Sequence, residues 1–248
     1  MAESAKQRAK RRRQREEEAR VVVEDVQQDR LQSDNKVAIV VIAVAAVVAV
    51  AAHLLFASMP GNSPTDQPFA NPTEVPNPEL SEYREWSGSL TINDSLTLDI
   101  TISGDKAPQA AANFIALARG GFYDDTTCHR LTTEGLFVLQ CGDPTGTGSG
   151  GPGYEFGPLE NVPDDEIYPA GTIAMARTAD PNSMGSQFFI VYDDTQLPSP
   201  GYTVLGQVTG GLDGFKEQIV APGVQPGGMS PGDGPPVQSA SITAITLE

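Results

Sequence analysis

The stretch Gly185-Ser186-Gln187-Phe188-Phe189-Ile190-Val191 constrains this chain most. It sets a few polar groups among aromatic and β-branched neighbours, the composition of a strand. It follows Gly171-Thr172-Ile173-Ala174-Met175-Ala176-Arg177 after a short polar loop. Upstream, Cys128-His129-Arg130 precedes Gly135-Leu136-Phe137-Val138-Leu139-Gln140-Cys141-Gly142-Asp143. Each block reads as a strand carrying a few polar groups among apolar residues. Leu90 and Ile92, then Leu96, Leu98, Ile100 and Ile102, alternate with period two on either side of Asn93-Asp94-Ser95. That pattern predicts a hairpin over Ser87–Ser103. Gly and Pro are frequent and aromatics few, which suits strands and loops better than a helical bundle.

Two helices are expected. Pro108 suits a first turn, where no amide donor is lost. Ala110, Ala111, Phe114, Leu117 and Ala118 form an apolar stripe that Gly120-Gly121 ends. The second helix runs over Gly211–Val220, with Leu212, Phe215 and Ile219 at helical spacing. Thr126–Leu131, Tyr202–Val208 and Val237–Leu247 read as strands, and Ala221–Pro236 as a mobile Gly- and Pro-rich surface loop.

Charge and hydropathy divide the chain. Residues 1–36 carry 10 Lys+Arg and 8 Asp+Glu, whereas residues 37–248 carry 6 and 24. So acidic a domain repels nucleic acid. Residues 37–57 are apolar apart from His53. Twenty-one residues in a helix reach about 31 Å, enough for a bilayer core of about 30 Å. The basic residues precede this run, so the positive-inside rule places the N-terminus in the cytoplasm and the C-terminus outside. The run is read as an uncleaved signal anchor. A cleaved signal peptide is the competing reading, but its basic region is shorter and its apolar core is 7–15 residues. Pro60, Pro64, Pro68, Pro72, Pro76 and Pro78 make 58–82 a semi-stiff, polyproline-like linker. The division is therefore a tail at 1–36, a membrane run at 37–57, a linker at 58–82 and a globular domain at 83–248.

Other chemistries fit poorly. The glycine-rich stretch Gly142–Gly153 lacks the Gly-Lys-Ser/Thr ending and following helix of a P-loop, and the context of a dinucleotide fingerprint. His129 invites a hydrolase triad, but no Gly-x-Ser-x-Gly elbow is present. The two cysteines form no Cys-x-x-Cys pair, which argues against redox shuttling and a zinc site.

The blocks around Arg130, Gln140 and Phe189, in this order, resemble the active-site strands of the cyclophilins, a family of peptidyl-prolyl isomerases. The resemblance covers about residues 84–248. It implies a mainly β fold: a closed eight-stranded antiparallel barrel capped by two helices, here preceded by one transmembrane helix. It implies rotation about X–Pro bonds of extracytoplasmic polypeptides, assisting folding, with no cofactor and no metal. The clients would be unfolded or exported proline-containing chains, and the domain a monomer. The alternative is a non-catalytic, membrane-tethered peptide-binding or chaperone module.

By the same resemblance, Arg130, Phe137 and Gln140 are the catalytic set. Val138, Phe189 and Leu197 match the proline pocket with Phe137. Gln187 matches a positioning group, and Ala176 and Arg177 the edge where substrate main chain pairs. Tyr202 falls where many members have histidine. This sequence departs from the family in having two extra residues between Arg130 and Gln140. It also has Val138 for the usual methionine, Arg177 for asparagine, and Leu197 where many members carry tryptophan. That last change implies weak cyclosporin binding. The resemblance also makes the Arg130 and Gln140 strands an antiparallel pair, with Cys128 and Cys141 on roughly opposite positions. A disulfide between them is expected, with mere adjacency the alternative left by the two extra residues.

Overall fold

The hairpin that alternation predicts is β1 (Glu85–Ile92) and β2 (Leu96–Ser103) in the computed structural model, which describes residues 71–226 and 231–248. Leu96, Leu98, Ile100 and Ile102 all point inward and are buried. Asn93 and Asp94 take the left-handed backbone that turns the chain, a conformation their short polar side chains tolerate. Asn93 also accepts from the Ser241 N–H and donates to the Ser239 carbonyl, fixing the turn on the last strand.

The remaining strands are β3 (Thr126–Thr127), β4 (Arg130–Thr132), β5 (Val138–Cys141), β6 (Ile167–Tyr168), β7 (Thr172–Met175), β8 (Phe188–Val191), β9 (Thr195–Gln196), β10 (Val204–Gly210), β11 (Asp233–Gly234) and β12 (Ser241–Leu247). Ten of the twelve strands form one antiparallel sheet in the order β11-β4-β5-β8-β7-β10-β2-β1-β12-β3, and β6 pairs with β9 apart from it. Gly206 in β10 is required by a close approach: a Cβ there would fall 1.9 Å from the Thr101 carbonyl oxygen.

The barrel is not closed, which corrects the eight-stranded closed barrel expected. The sheet is an open, curled half-barrel of ten strands whose end strands, β11 and β3, do not pair. The physical reason lies at Cys128-His129. The segment expected to be one strand over Thr126–Leu131 is broken there: its first part pairs with β12 and its second with β5. The sheet curls enough for these two residues to connect its opposite regions, but no ladder runs through them. The exposed ends are two residues long, too short to template another strand.

The helix α1 (Pro108–Arg119) lies against the sheet with Phe114, Ile115 and Leu117 buried. Its N-terminus has no local side-chain cap. Instead the Glu160 carboxylate accepts from the Gln109 and Ala110 N–H groups, supplying negative charge where the helix dipole favours it. The Phe114, Tyr123 and Phe188 rings meet centroid to centroid at 5.2–5.6 Å and join helix to sheet. The second helix, α2 (Leu212–Phe215), continues as a π-type turn over Lys216–Val220, burying Phe215 and Ile219. Asp233–Gly234, in the stretch read as a mobile loop, forms β11 on β4.

The expected transmembrane helix is not found among the described residues, where no helix is long and apolar enough to cross a membrane. The tail 1–36, the run 37–57 and the linker as far as residue 70 lie outside the described residues.

Candidate functional site

Antiparallel register assembles the site. Arg130 lies opposite Gln140, Gln140 opposite Phe189, and Phe189 opposite Ala174. These four share one face of the sheet because side chains opposed across a ladder point the same way. Val138 and Val191, each two residues along its strand, share that face. The intervening Leu131, Leu139, Cys141, Phe188 and Ile190 turn to the main core.

An apolar cluster distinct from the main core results. It comprises Val138, Tyr168, Ala174, Phe189, Val191 and Leu197, with Leu136, Ala176, Tyr202 and Val204 packed against it. Val138, Phe189 and Leu197 each keep 5 % of their surface exposed. The Tyr202 ring stands edge-on to Phe189 at 5.4 Å, and the Arg177 guanidinium lies 4.5 Å from its centroid. Arg177 is further held by the Gly201 and Thr178 carbonyls, both at 2.8 Å. The Ala176 N–H donates to the Gln187 carbonyl, so this edge is tied to the start of β8.

Phe137 is placed otherwise than expected. Its ring packs edge-on to Tyr192 at 5.9 Å, against the main core rather than among Val138, Phe189 and Leu197. Leu136 takes the position beside the pocket. The two extra residues after Arg130 lengthen the β4–β5 connection, and side-chain alternation puts 136, 138 and 140 on the site face and 137 on the other.

Polar groups run beside this cluster in one direction. The Arg130 Nη1 donates to Gln140 Oε1 at 3.4 Å, Gln140 Nε2 to Gln187 Oε1 at 2.8 Å, and Gln187 Nε2 to the Gly148 and Gly150 carbonyls. Arginine has no acceptor, so it fixes which end of each amide faces which neighbour. At the far end the buried Asp143 carboxylate gathers N–H groups of Thr145, Gly148 and Gly150, shaping the glycine-rich loop. Burial acts to raise the Asp143 pKa, but these bonds outweigh it and hold the carboxyl well below the usual carboxylate range. Gln140, Ala176, Arg177, Gln187 and this loop border a groove of about 760 Å³.

At the other end Arg130 meets Asp233, Nε to Oδ1 and Nη2 to Oδ2, both at 2.8 Å. That hydrogen-bonded carboxylate raises the arginine's pKa, against the effect of burial. Sequence reasoning missed Asp233. It stands 103 residues from Arg130 among glycines and prolines, and only the β11–β4 ladder brings it near.

His129 does not build a triad. Its Nδ1 is buried without a hydrogen-bond partner, whereas a triad histidine is held there by a carboxylate. Burial lowers its pKa; Asp143 acts to raise it. Cys128 and Cys141 are both buried and joined by a disulfide.

A family model described as cyclophilin type peptidyl-prolyl cis-trans isomerase matches residues 89–245. A probable peptidyl-prolyl cis-trans isomerase B of Mycobacterium tuberculosis is 41 % identical over 177 residues, covering 65 % of this chain and 54 % of that one. The peptidyl-prolyl cis-trans isomerase B of Bacillus subtilis is 39 % identical over 127 residues, 51 % of this chain and 86 % of that one. A crystal structure of a Cryptosporidium parvum cyclophilin type isomerase superposes with a TM-score of 0.55 at 27 % identity, covering 66 % of this chain and 98 % of that one. The chain spans about half the length of the mycobacterial relatives it matches.

Proposed function

The chain belongs to the cyclophilin-type peptidyl-prolyl cis-trans isomerase family, and we propose that it catalyses rotation about X–Pro bonds of polypeptides outside the cytoplasm, assisting their folding. Amide resonance sets a barrier of about 18–20 kcal/mol to that rotation. Twisting the bond breaks resonance and leaves the prolyl nitrogen pyramidal and basic. A catalyst need only bind the twisted state better than the planar ones. That requires a dry pocket for the ring and a fixed donor near the nitrogen.

The observation that carries this reading is the placement of Arg130. Its guanidinium is held on two sides, by Asp233 and by Gln140. On the adjoining strands of the same face lie Val138 and Phe189, part of a slightly open apolar cluster with Leu197. Of five guanidinium N–H groups, three are engaged, and one on each terminal nitrogen is left for substrate. The Ala176–Arg177 edge and the groove beside Gln187 would take the main chain preceding the proline.

Placement outside the cytoplasm is supported by the charge asymmetry around 37–57 and by the disulfide, which persists in oxidising compartments. The apolar run is the candidate point of membrane attachment.

The test is proline-limited refolding of a model protein with the full chain and with Arg130→Ala. The wild type should accelerate the slow phase. The variant should bind proline peptides but lose about 10²–10³ in rate, the usual cost of removing one transition-state donor. An unchanged rate in a folded variant overturns the assignment. Peptide binding by the wild type without acceleration makes the domain a binding module instead.

A further inference from the structure

Asp233 belongs to none of the blocks that mark the site, yet its backbone is fixed from both sides. Asp233 and Gly234 pair with Thr132 and Leu131 of β4. The Thr133 N–H donates to the Gly232 carbonyl at 2.7 Å, one residue before. One residue after Gly234, the Pro235 carbonyl accepts from the Gln225 N–H at 2.8 Å, and Val237 donates back to Gly223. Gly232 has a positive φ of 71°, and a Cβ there would press on Glu134 at 2.8 Å, so the approach of this segment to β4 depends on a glycine.

The carboxylate so placed meets Arg130 in two parallel hydrogen bonds of 2.8 Å. Fork-to-fork pairing fixes the plane of a guanidinium as well as its position. The pair is not an ordinary surface contact, since the side chains are 34 % and 15 % exposed. An arginine held only by Gln140 at 3.4 Å could rotate about its long, flexible stem. Asp233 takes the Nε–Nη2 edge and leaves one N–H on each terminal nitrogen.

We propose that Asp233 is a positioning residue for the isomerase reaction: it locks the Arg130 guanidinium in the one plane in which its remaining N–H groups can meet the prolyl nitrogen of the twisted bond. This rests on the isomerase reading above. The positioning acts on the twisted state, so its loss lowers kcat while KM stays nearly constant. A structural ion pair that merely pins β11 would change stability and leave both constants alone. A carboxylate that competed with substrate for Arg130 would, once removed, raise turnover.

The experiment uses the full chain with Asp233→Asn, Asp233→Glu and Arg130→Ala, singly and with Asp233→Asn combined with Arg130→Ala. Asparagine keeps the shape but opposes an NH2 to one of the two arginine donors. Its kcat should fall roughly 10- to 100-fold, the scale on which small misplacements act. Asp233→Glu, which keeps the charge and both acceptors, should recover most of that loss. In the Arg130→Ala background Asp233→Asn should have no further effect, since residues acting through one another are not additive. The wild type itself gives a readout independent of whether variants fold. The Arg130 Nε–H should appear as a resolved, slowly exchanging NMR signal and stay so when a proline peptide binds. An unchanged or raised kcat in folded Asp233→Asn, or an Nε–H that exchanges like that of a free arginine, overturns the proposal. If the wild type gives no acceleration, the isomerase reading falls and this one with it; if Arg130→Ala keeps the wild-type rate, the catalytic role of Arg130 falls and this one with it. If Arg130→Ala is inactive while Asp233→Asn is fully active, only this one falls.

Discussion

Gln140 donates its amide N–H to Gln187 Oε1 across 2.8 Å, and this contact links the arginine to the glycine-rich loop. The direction of the bond is forced from both ends. Arg130 can only donate, and the Gly148 and Gly150 carbonyls can only accept. Gln187 must therefore donate to the loop and accept from Gln140, and Gln140 must present its oxygen to Arg130.

This ordering makes Gln187→Glu and Gln187→Leu informative. A carboxylate cannot donate to the loop carbonyls and would sit against them with like charge, so Gln187→Glu should be the more damaging. Each loses a part-buried hydrogen bond, at about 1 kcal/mol for the neutral case. Turnover should fall about tenfold for the leucine variant and further for the glutamate, as the Gln140 amide loses its orientation. Steady-state isomerase kinetics check the order; wild-type rates in both variants would show that the relay does not matter.

Asp143 should carry pH-dependent stability. Its folded pKa is depressed, so its contribution is fully present above the unfolded value of about 3.9 and is lost as pH falls through the folded value. Asp143→Asn should cost about 2–3 kcal/mol at pH 7, through the bonds from Thr145, Gly148 and Gly150. Below about pH 3.9 the gap between wild type and variant should narrow by about 1.4 kcal/mol per pH unit. Urea unfolding at pH 7 and pH 3 measures both, and a gap that stays constant would exclude this ionised anchor.

Much of this was legible because strand alternation is local. The β1–β2 hairpin followed from Leu96, Leu98, Ile100 and Ile102, and α1 from Pro108 and its apolar stripe. What stayed hidden depends on which partner a strand finds. Thr126–Leu131 looks continuous, but its halves pair with β12 and β5, and the resulting break at Cys128-His129 leaves the barrel open. Phe137 carries the residue type of a pocket, but it stands just before β5 at odd spacing from Gln140, and it faces Tyr192 instead. Asp233 gives no local signal, because its function is defined by a side chain on another strand.

The proposed placement outside the cytoplasm predicts protease sensitivity. Protease added to intact cells or spheroplasts should remove the acidic domain and leave a fragment containing the basic tail at the membrane. A domain protected until lysis would reverse the orientation that the positive-inside rule gives for the charges flanking 37–57.

The disulfide should stabilise the site without taking part in catalysis. Cys128 lies in the gap between β3 and β4, where the ladder is interrupted and its N–H bonds only the Ala240 carbonyl, at 2.8 Å. Cys141 ends β5, one residue past Gln140. The bridge therefore supplies a covalent tie where backbone pairing is missing, and closes the loop that carries both Arg130 and Gln140. Both sulfurs belong to the main core, on the far side of the sheet from the Val138–Phe189 cluster. For a separation of 13 residues the chain-entropy model gives about 3 kcal/mol. Replacing both cysteines with alanine should lower the unfolding free energy by that amount, read as a lower urea midpoint, while turnover of the folded fraction changes only a few-fold. Intact mass after alkylation checks the bridge directly. Unfolded without reductant the chain should take up no alkyl group, and unfolded after reduction it should take up two. Two groups added without reductant would mean that the thiols lie side by side unbridged.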